Sequence, residues 1–462
     1  MLNIIIYYII IIIMNIIISF YDENFDILNN PLLNIFEKKL FEYVLDNLTL
    51  NYNDKIFIIY DELLDKNDFK TIINIKYPYI HLISINKYIN NYINILHFSL
   101  NYIITNHINS TNKCIILNYY TFYTQDIINI FRNSDNSIIF YTEIDSLYKN
   151  LLYLSINLDY KNNVLNIFDQ NNKNLTNSYI YAFTDINILY KYCQKIINNN
   201  IISNDNDNLY YIIKYMLYNS YIFIGYKLLN DRVFHLGTQI ELNNYIENTH
   251  AFLFDLDGTM VITEHIYFDA WKLLLNQYDI ILTKDIFKEK FKGNDDKTII
   301  KNMFPNIDIC DIKISYYKNK IFIENIHKIE LIDGIIELLQ DIKKKGHKAC
   351  IVTNSKKFVA TKIINHLNFN KYIDFVITSE DSLHGKPNPE PYQNAIKKYN
   401  INKNKCLIFE DSKTGLLSGK STNPKVLIGI ESFYNSNELL DYGVNISLKN
   451  FNNININNLM NT

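Results

Sequence analysis

The chain has 462 residues, a formal charge of −3, and 48% hydrophobic against 20% charged residues. One hydrophobic core does not extend over that length, so two domains of ordinary size are expected. The near-neutral charge leaves no basic surplus for phosphate backbones, and nucleic acid is not an expected partner.

The first twenty residues, MLNIIIYYIIIIIMNIIISF, are apolar enough to span a membrane. They carry no basic flank and no small-residue cleavage site. The expectation is that residues 1–13 are an apolar leader of open status, that Met14 is the working start, and that MNIIISF is a first strand. A membrane anchor within residues 1–20 is the alternative. From residue 14 to about 248, β-like runs alternate with helical spacing. KIFIIYDE (55–62) and KCIILNYY (113–120) read as buried strands, PLLNIFEKKLFEYVLDNL (31–48) and DINILYKYCQKII (185–197) as helices. Such alternation implies an α/β sheet domain.

A second α/β domain is expected over residues 249–455, with 456–462 as a tail. It opens on HAFLFDLDGT (250–259), an apolar strand that breaks into an acidic turn. Residues from about 262 to 332 are helical in pattern. Strand signals then resume at KACIVTNS (348–355), DFVITS (374–379) and KCLIFEDS (405–412). The cysteines are scattered without a CxxC pair, and Cys350 and Cys406 lie in apolar runs. Reduced thiols fit a cytoplasmic location, which is the expected one.

Four segments of the second domain carry chemistry. Asp255 and Asp257 follow the run AFLF, so their carboxylates emerge at the carboxyl end of a strand, where open α/β sheets bind ligands. The first can attack phosphorus, and the second can exchange a proton with the leaving oxygen. Gly258 permits a tight turn, and Thr259 offers a hydroxyl. Two carboxylates would repel a phosphate, so cations are required. IVTNS brings Thr353 to a strand end, with Asn354 and Ser355 as further phosphate contacts; GKPNPEPY (385–392) presents Lys386; LIFEDS ends in Glu410 and Asp411, hard oxygen ligands suited to Mg²⁺. Singly, an Asp-x-Asp or a Lys-Pro is a common turn. All four in order, each at the end of an apolar strand, make a phosphoryl-transfer site.

The order DLDGT, VTNS, GKPNPEPY, FEDSKTG resembles the haloacid dehalogenase-like (HAD) hydrolase superfamily, in the branch of β-phosphoglucomutase and small sugar-phosphate phosphatases. The resemblance implies a Rossmann-like core with a helical cap inserted after its first strand. It also implies Asp255 as nucleophile, Asp257 as acid/base, Thr353 and Lys386 on the phosphoryl group, and Mg²⁺ on Asp255, the carbonyl of Asp257 and Asp411, with Glu410 assisting. TEHIYFDAW (263–271) looks like the first cap helix, and FKGNDD (291–296) like the cap loop that reaches the site. Mutases of this branch carry an Arg in that loop; here only Lys290 and Lys292 are near, which favours a phosphatase. Lys292 is the expected cap contact to substrate.

In the first domain, FIGYKLLNDRVFHLGTQIELNNYI (223–246) and TNSYIYAFTDINILYKYC (176–193) resemble parts of sugar-phosphate nucleotidyltransferases, which implies a GT-A-like, Rossmann-like α/β fold. The stretch expected to cradle a triphosphate, SFYDENFDILNNPLL (19–33), has no Gly, Arg or Lys. The expected metal-binding Asp pair is replaced by Asn118-Tyr119-Tyr120, and Ser178 stands near the place of a sugar-loop glycine. An inactive transferase-like domain, used for homo-oligomer formation or sugar sensing, is expected. The whole chain then reads as a Mg²⁺-dependent phosphatase of a small phosphorylated metabolite. A phosphomutase and a non-catalytic assembly or regulatory protein are the alternatives.

Overall fold

The computed structural model describes residues 13–20, 31–86, 91–107, 113–143, 154–168, 175–199, 201, 209–291, 296–303 and 311–462. The chain divides into two compact units between Ile246 and Glu247. Residues 1–12 of the expected leader, most of the segment 19–33, and Lys292 lie outside the described residues. No described helix is long and apolar enough to cross a membrane.

Among the described residues, the N-terminal unit has one mixed nine-stranded sheet. Its strands are β1 (Asn15–Ser19), β2 (Lys55–Asp61), β3 (Ile80–Ile85), β4 (Cys114–Asn118), β5 (Ile138–Glu143), β6 (Ser155–Leu158), β7 (Val164–Phe168), β8 (Leu175–Phe183) and β9 (Ile224–Lys227). β1 lies centrally and pairs in parallel with β2 and β4, so that Asn15 faces both Lys55 and Cys114. β8 runs antiparallel to β4, β5 and β6. The Val/Ile-rich strands alternate between two buried faces, as a sheet covered on both sides requires. The helices Tyr92–His107 (α1), Ile186–Asn198 (α2) and Leu209–Tyr218 (α3) pack with one face. Asp54 anchors the start of β2 against β1. It accepts from the Met14 amide at 3.0 Å and pairs with Arg132, both side chains being nearly inaccessible.

Residues 31–48 depart from the helix that their spacing predicts. A short hairpin (Asn34–Ile35 with Lys38–Lys39) comes first, and the helix is confined to Leu40–Leu45. The hairpin turns through Phe36, whose φ is +54°, a value that no helix accommodates.

The C-terminal unit holds a six-stranded, fully parallel sheet whose strands lie in the order Phe375–Ile377, Lys348–Val352, Ala251–Phe254, Cys406–Glu410, Val426–Ile430 and Ile446–Leu448. After β10 (Ala251–Phe254) comes a two-residue strand, β11 (Val261–Ile262), and then the helical cap. The cap consists of α4 (Glu264–Asn276), α5 (Lys284–Lys290), α6 (Asp296–Met303) and α7 (Asp311–Glu324). It has its own apolar cluster, centred on Trp271, Leu275, Phe287 and Phe291. The chain returns through β12 (Glu330–Leu331), which pairs antiparallel with β11. α8 (Ile335–Lys344) buries Ile335, Leu338, Leu339 and Ile342, one stripe at helical spacing. β13 (Lys348–Val352), α9 (Lys357–His366), β14 (Phe375–Ile377), α10 (Glu390–Tyr399), β15 (Cys406–Glu410), α11 (Lys413–Lys420), β16 (Val426–Ile430) and β17 (Ile446–Leu448) complete the layers. The final residues are not the tail that the sequence suggests. They form α12 (Ile456–Asn461), whose Ile456 and Leu459 are buried in the same core as β10.

Candidate active site

The site is built at the carboxyl ends of β10, β13 and β15, three neighbours at the middle of the parallel sheet. The Asp255 amide donates to the Phe409 carbonyl at 2.9 Å, extending the ladder one residue past β10 and fixing the carboxylate at the strand tip. The chain then turns sharply, with the amides of Met260 and Val261 both donating to the Leu256 carbonyl. Gly258 sits in this turn at φ +84°, and a Cβ there would lie 2.2 Å from Asp411 Oδ2. Glycine is therefore required twice, by the backbone conformation and by the carboxylate beside it.

Lys386 is 6% exposed, and its three ammonium hydrogens have three partners. Nζ donates to Asp255 Oδ1 at 2.6 Å, to Glu410 Oε1 at 2.6 Å and to the Val352 carbonyl at 2.7 Å. Its backbone is clamped by Asn354, whose Oδ1 accepts from the Lys386 amide at 3.0 Å while Nδ2 donates to the Lys386 carbonyl at 3.3 Å. Asn354, expected as a phosphate contact, thus fastens the lysine loop. Thr353 is almost fully buried, and its Oγ1 accepts from the Ser355 amide at 3.0 Å.

Glu410 is fully buried and saturated with donors. Oε1 also accepts from the Tyr392 hydroxyl at 2.8 Å; Oε2 receives the Asp411 amide at 3.2 Å and the Ser412 hydroxyl at 3.3 Å. Gly415, in the first turn of α11, makes room for it, since a Cβ there would fall 1.9 Å from the carboxylate. Asp411 accepts from Ser432 Oγ at 3.1 Å and from Thr259 Oγ1 at 3.4 Å. Carboxylate oxygens of Asp255, Glu410 and Asp411 all lie within 4.8 Å of one another.

Asp257 is held from both sides, by Thr263 Oγ1 at 2.7 Å on Oδ1 and by Ser355 Oγ at 2.8 Å on Oδ2. Burial pushes its carboxyl up, and these two hydroxyls oppose that shift. Burial also drives Asp255 well above the usual carboxylate range. Lys386 pulls it back down, while Glu410, Asp411 and Asp257 add to the rise. Burial pulls the Lys386 ammonium down, but Asp255 and Glu410 outweigh it and the net shift is upward. Three close carboxylates with one ammonium among them leave a surplus of negative charge. That surplus, and the purely oxygen donor set, fit a hard divalent cation.

The cap closes over these tips to form a cleft of about 1350 Å³. Asp255, Asp257, Gly258, Thr353, Asn354, Ser355, Lys386 and Asp411 all line it. Sequence reasoning missed the cap wall. Thr263 stands at the N-cap of α4, and Tyr267 and Trp271 follow at four-residue spacing on one side of the helix, a spacing legible within TEHIYFDAW. The Tyr267 hydroxyl lies 3.4 Å from Ser355 Oγ, and burial raises its pKa well above the ordinary value. Lys318 of α7 is a buried cap cation that lines the cleft; the expected contact Lys292 lies outside the described residues, and Lys290 is exposed. Ser379 also lines the cleft, its Oγ buried without a hydrogen bond. His265 is exposed on α4.

The architecture is a parallel sheet with buried carboxylates at its central tips and a helical insertion after its first strand. The family described as haloacid dehalogenase-like hydrolase matches residues 252–428, and the C-terminal half carries a hydrolase domain of that kind. Over 196 residues the chain is 26% identical to the phosphorylated carbohydrates phosphatase of Thermotoga maritima, covering 41% of this chain and 89% of that protein. Over 173 residues it is 25% identical to the validoxylamine A 7′-phosphate phosphatase of Streptomyces hygroscopicus subsp. limoneus, covering 36% and 79% respectively. Among solved structures, a HAD hydrolase of family IA, variant 3, from Entamoeba histolytica HM-1:IMSS is 28% identical. The match covers 46% of this chain and 98% of that one, with a TM-score of 0.43.

Proposed function

We propose that the C-terminal unit is a Mg²⁺-dependent phosphatase that hydrolyses a small phosphorylated metabolite, a sugar phosphate, through an aspartyl-phosphate at Asp255. The observation that carries this reading is that Lys386 reaches Asp255, at the tip of β10 beside Asp411 at the tip of β15, 2.6 Å separating the lysine Nζ from the aspartate oxygen. Asp255 attacks phosphorus, and its new O–P bond forms as the bond to the leaving oxygen breaks. Asp257, positioned by Thr263 and Ser355, protonates that oxygen. Water then attacks the aspartyl-phosphate, Asp257 takes its proton, and Asp255 is released with inorganic phosphate. Lys386 neutralises charge on the nucleophile and the phosphoryl group, and the Thr353 hydroxyl reaches a phosphate oxygen. A bound Mg²⁺, held by Asp255, Asp411 and the carbonyl of Asp257, would supply further neutralisation of the phosphoryl oxygens. Glu410 holds Lys386 in place through Oε1, which also accepts from Tyr392, and with carboxylate oxygens within 4.8 Å of those of Asp255 and Asp411 it would assist in holding the ion.

The relatives named as carbohydrate and validoxylamine phosphatases support a sugar phosphate as the substrate class. A screen of phosphorylated metabolites tests the reading. Phosphate release is expected with magnesium, none with a chelator, and none from Asp255→Asn. Release by Asp255→Asn at the parental rate would sink it. Phosphorus NMR separates the mutase alternative, which yields a positional isomer instead of inorganic phosphate.

For the N-terminal unit we infer a nucleotidyltransferase-like frame without transferase chemistry, serving sugar sensing or self-association. Its support is the strand–helix order of β8 with α2 and of β9 with the helix Gln239–Asn248, together with aromatic rings where carboxylates would be needed. Phe20, just past β1, lies 5.1 Å from the ring of Tyr119 and 5.4 Å from that of Phe69. Pyrophosphate production from a nucleoside triphosphate and a sugar phosphate would overturn this inference.

A further inference from the structure

Lys318 is 5% exposed, yet it carries a charge in the wall of the cleft. Its Nζ lies 2.8 Å from Asp296 Oδ1, and it sits over the rings of Tyr267 and Trp271 at 5.1 and 5.7 Å. Ser315 Oγ donates to Asp296 Oδ2 at 2.8 Å. All five residues line the cleft. A buried ion pair contributes little net stability compared with apolar residues of the same size, so stability does not account for its presence here.

We propose that Lys318 and Asp296 form a charge-balanced donor–acceptor pair that selects a hydroxylated leaving group with a single phosphate and rejects a substrate bearing a second anion. The inference rests on the phosphatase reading and names the feature of the substrate that the cap recognises. An ammonium has three hydrogens, and Asp296 takes one, so neighbouring hydroxyls of a polyol can accept from Lys318 while donating to Asp296. The Tyr267 and Trp271 faces suit the C–H side of a sugar ring. A second phosphate would find the lysine charge already matched and a carboxylate beside it, which disfavours it by repulsion and desolvation.

The test uses the full chain with magnesium and three probes: glucose 6-phosphate, glucose 1,6-bisphosphate and p-nitrophenyl phosphate. Comparing kcat/KM ratios within each protein removes differences in folded fraction. Asp296→Asn is expected to raise the bisphosphate-to-monophosphate ratio about tenfold, because it unmasks the lysine. Lys318→Met is expected to lower the glucose 6-phosphate to p-nitrophenyl phosphate ratio about tenfold, mainly through KM. Ratios within about twofold of the parent in both variants would overturn the proposal, as would parental turnover of p-nitrophenyl phosphate with neither sugar phosphate accepted. No phosphate release from any probe by the parent protein would instead overturn the phosphatase reading, and this inference with it.

Discussion

The two units solve the same construction problem and end their strands differently. Each has a central apolar strand flanked by parallel neighbours, β1 between β2 and β4, β10 between β13 and β15. Beyond the tips of β10 and β15 stand buried carboxylates joined to an ammonium. Near the tips of β1, β2 and β4 stand Phe20, Tyr60 and Tyr119, packed among Phe41 and Phe69. Aromatic packing at a strand tip adds buried apolar area and stabilises the fold, whereas clustered carboxylates there cost desolvation and repulsion. One unit has tips suited to stability, the other tips suited to chemistry.

The sharpest way to break the comparison is Asp255→Asn. It should lower phosphate release by roughly 10³-fold or more, read as kcat, with thermal stability kept. Lys386→Met comes next. It leaves Asp255 and Glu410 as adjacent uncompensated carboxylates, so kcat should fall about 10²-fold or more, and the unit should lose about 3 kcal/mol in denaturant unfolding. In the N-terminal unit, Phe20→Ala should cost about 3 kcal/mol of that unit's stability while the folded protein keeps its phosphate-release rate. A loss of rate there equal to that of Lys386→Met would erase the distinction between the units.

The smallest effect concerns pH. Burial, with His250 and Lys345 nearby, pushes the His347 imidazole from 6.5 down to about 3. Unfolding frees it to take a proton at its ordinary value. Its contribution is therefore full above 6.5 and is lost as pH falls from there toward 3. Between about pH 7.5 and 5.5 the C-terminal unit should lose about 1 kcal/mol that His347→Gln does not lose. Equal losses in the two proteins would remove His347 as the cause.

The strand tips of the candidate site were legible in the sequence because each follows a short apolar run that reads as a buried strand. Asp255, Thr353, Glu410 and Asp411 all have that signature. Lys386 departs from the expectation that all four segments end apolar strands, since a loop separates it from β14, and its two following prolines were what marked it. The cap partners were not legible as a set. Asp296 and Lys318 belong to different helices and meet only through tertiary packing, and neither has a local pattern that sets it apart from a solvated charge. Residues 31–48 misled for a related reason. Helical spacing of apolar residues persists across the turn at Phe36, and backbone conformation, which the spacing does not record, decides the break.

The short ladder between β11 and β12 has a consequence for how this enzyme can change. Val261 pairs with Leu331 and Ile262 with Glu330, so the chain leaves and rejoins the core at neighbouring points. Everything between those points is topologically a side excursion. Apart from Thr263, which holds Asp257, its length and composition can be rewritten while the two ends stay zipped. New substrates can thus be acquired by editing a cassette, with the bond-breaking apparatus left in place beneath it.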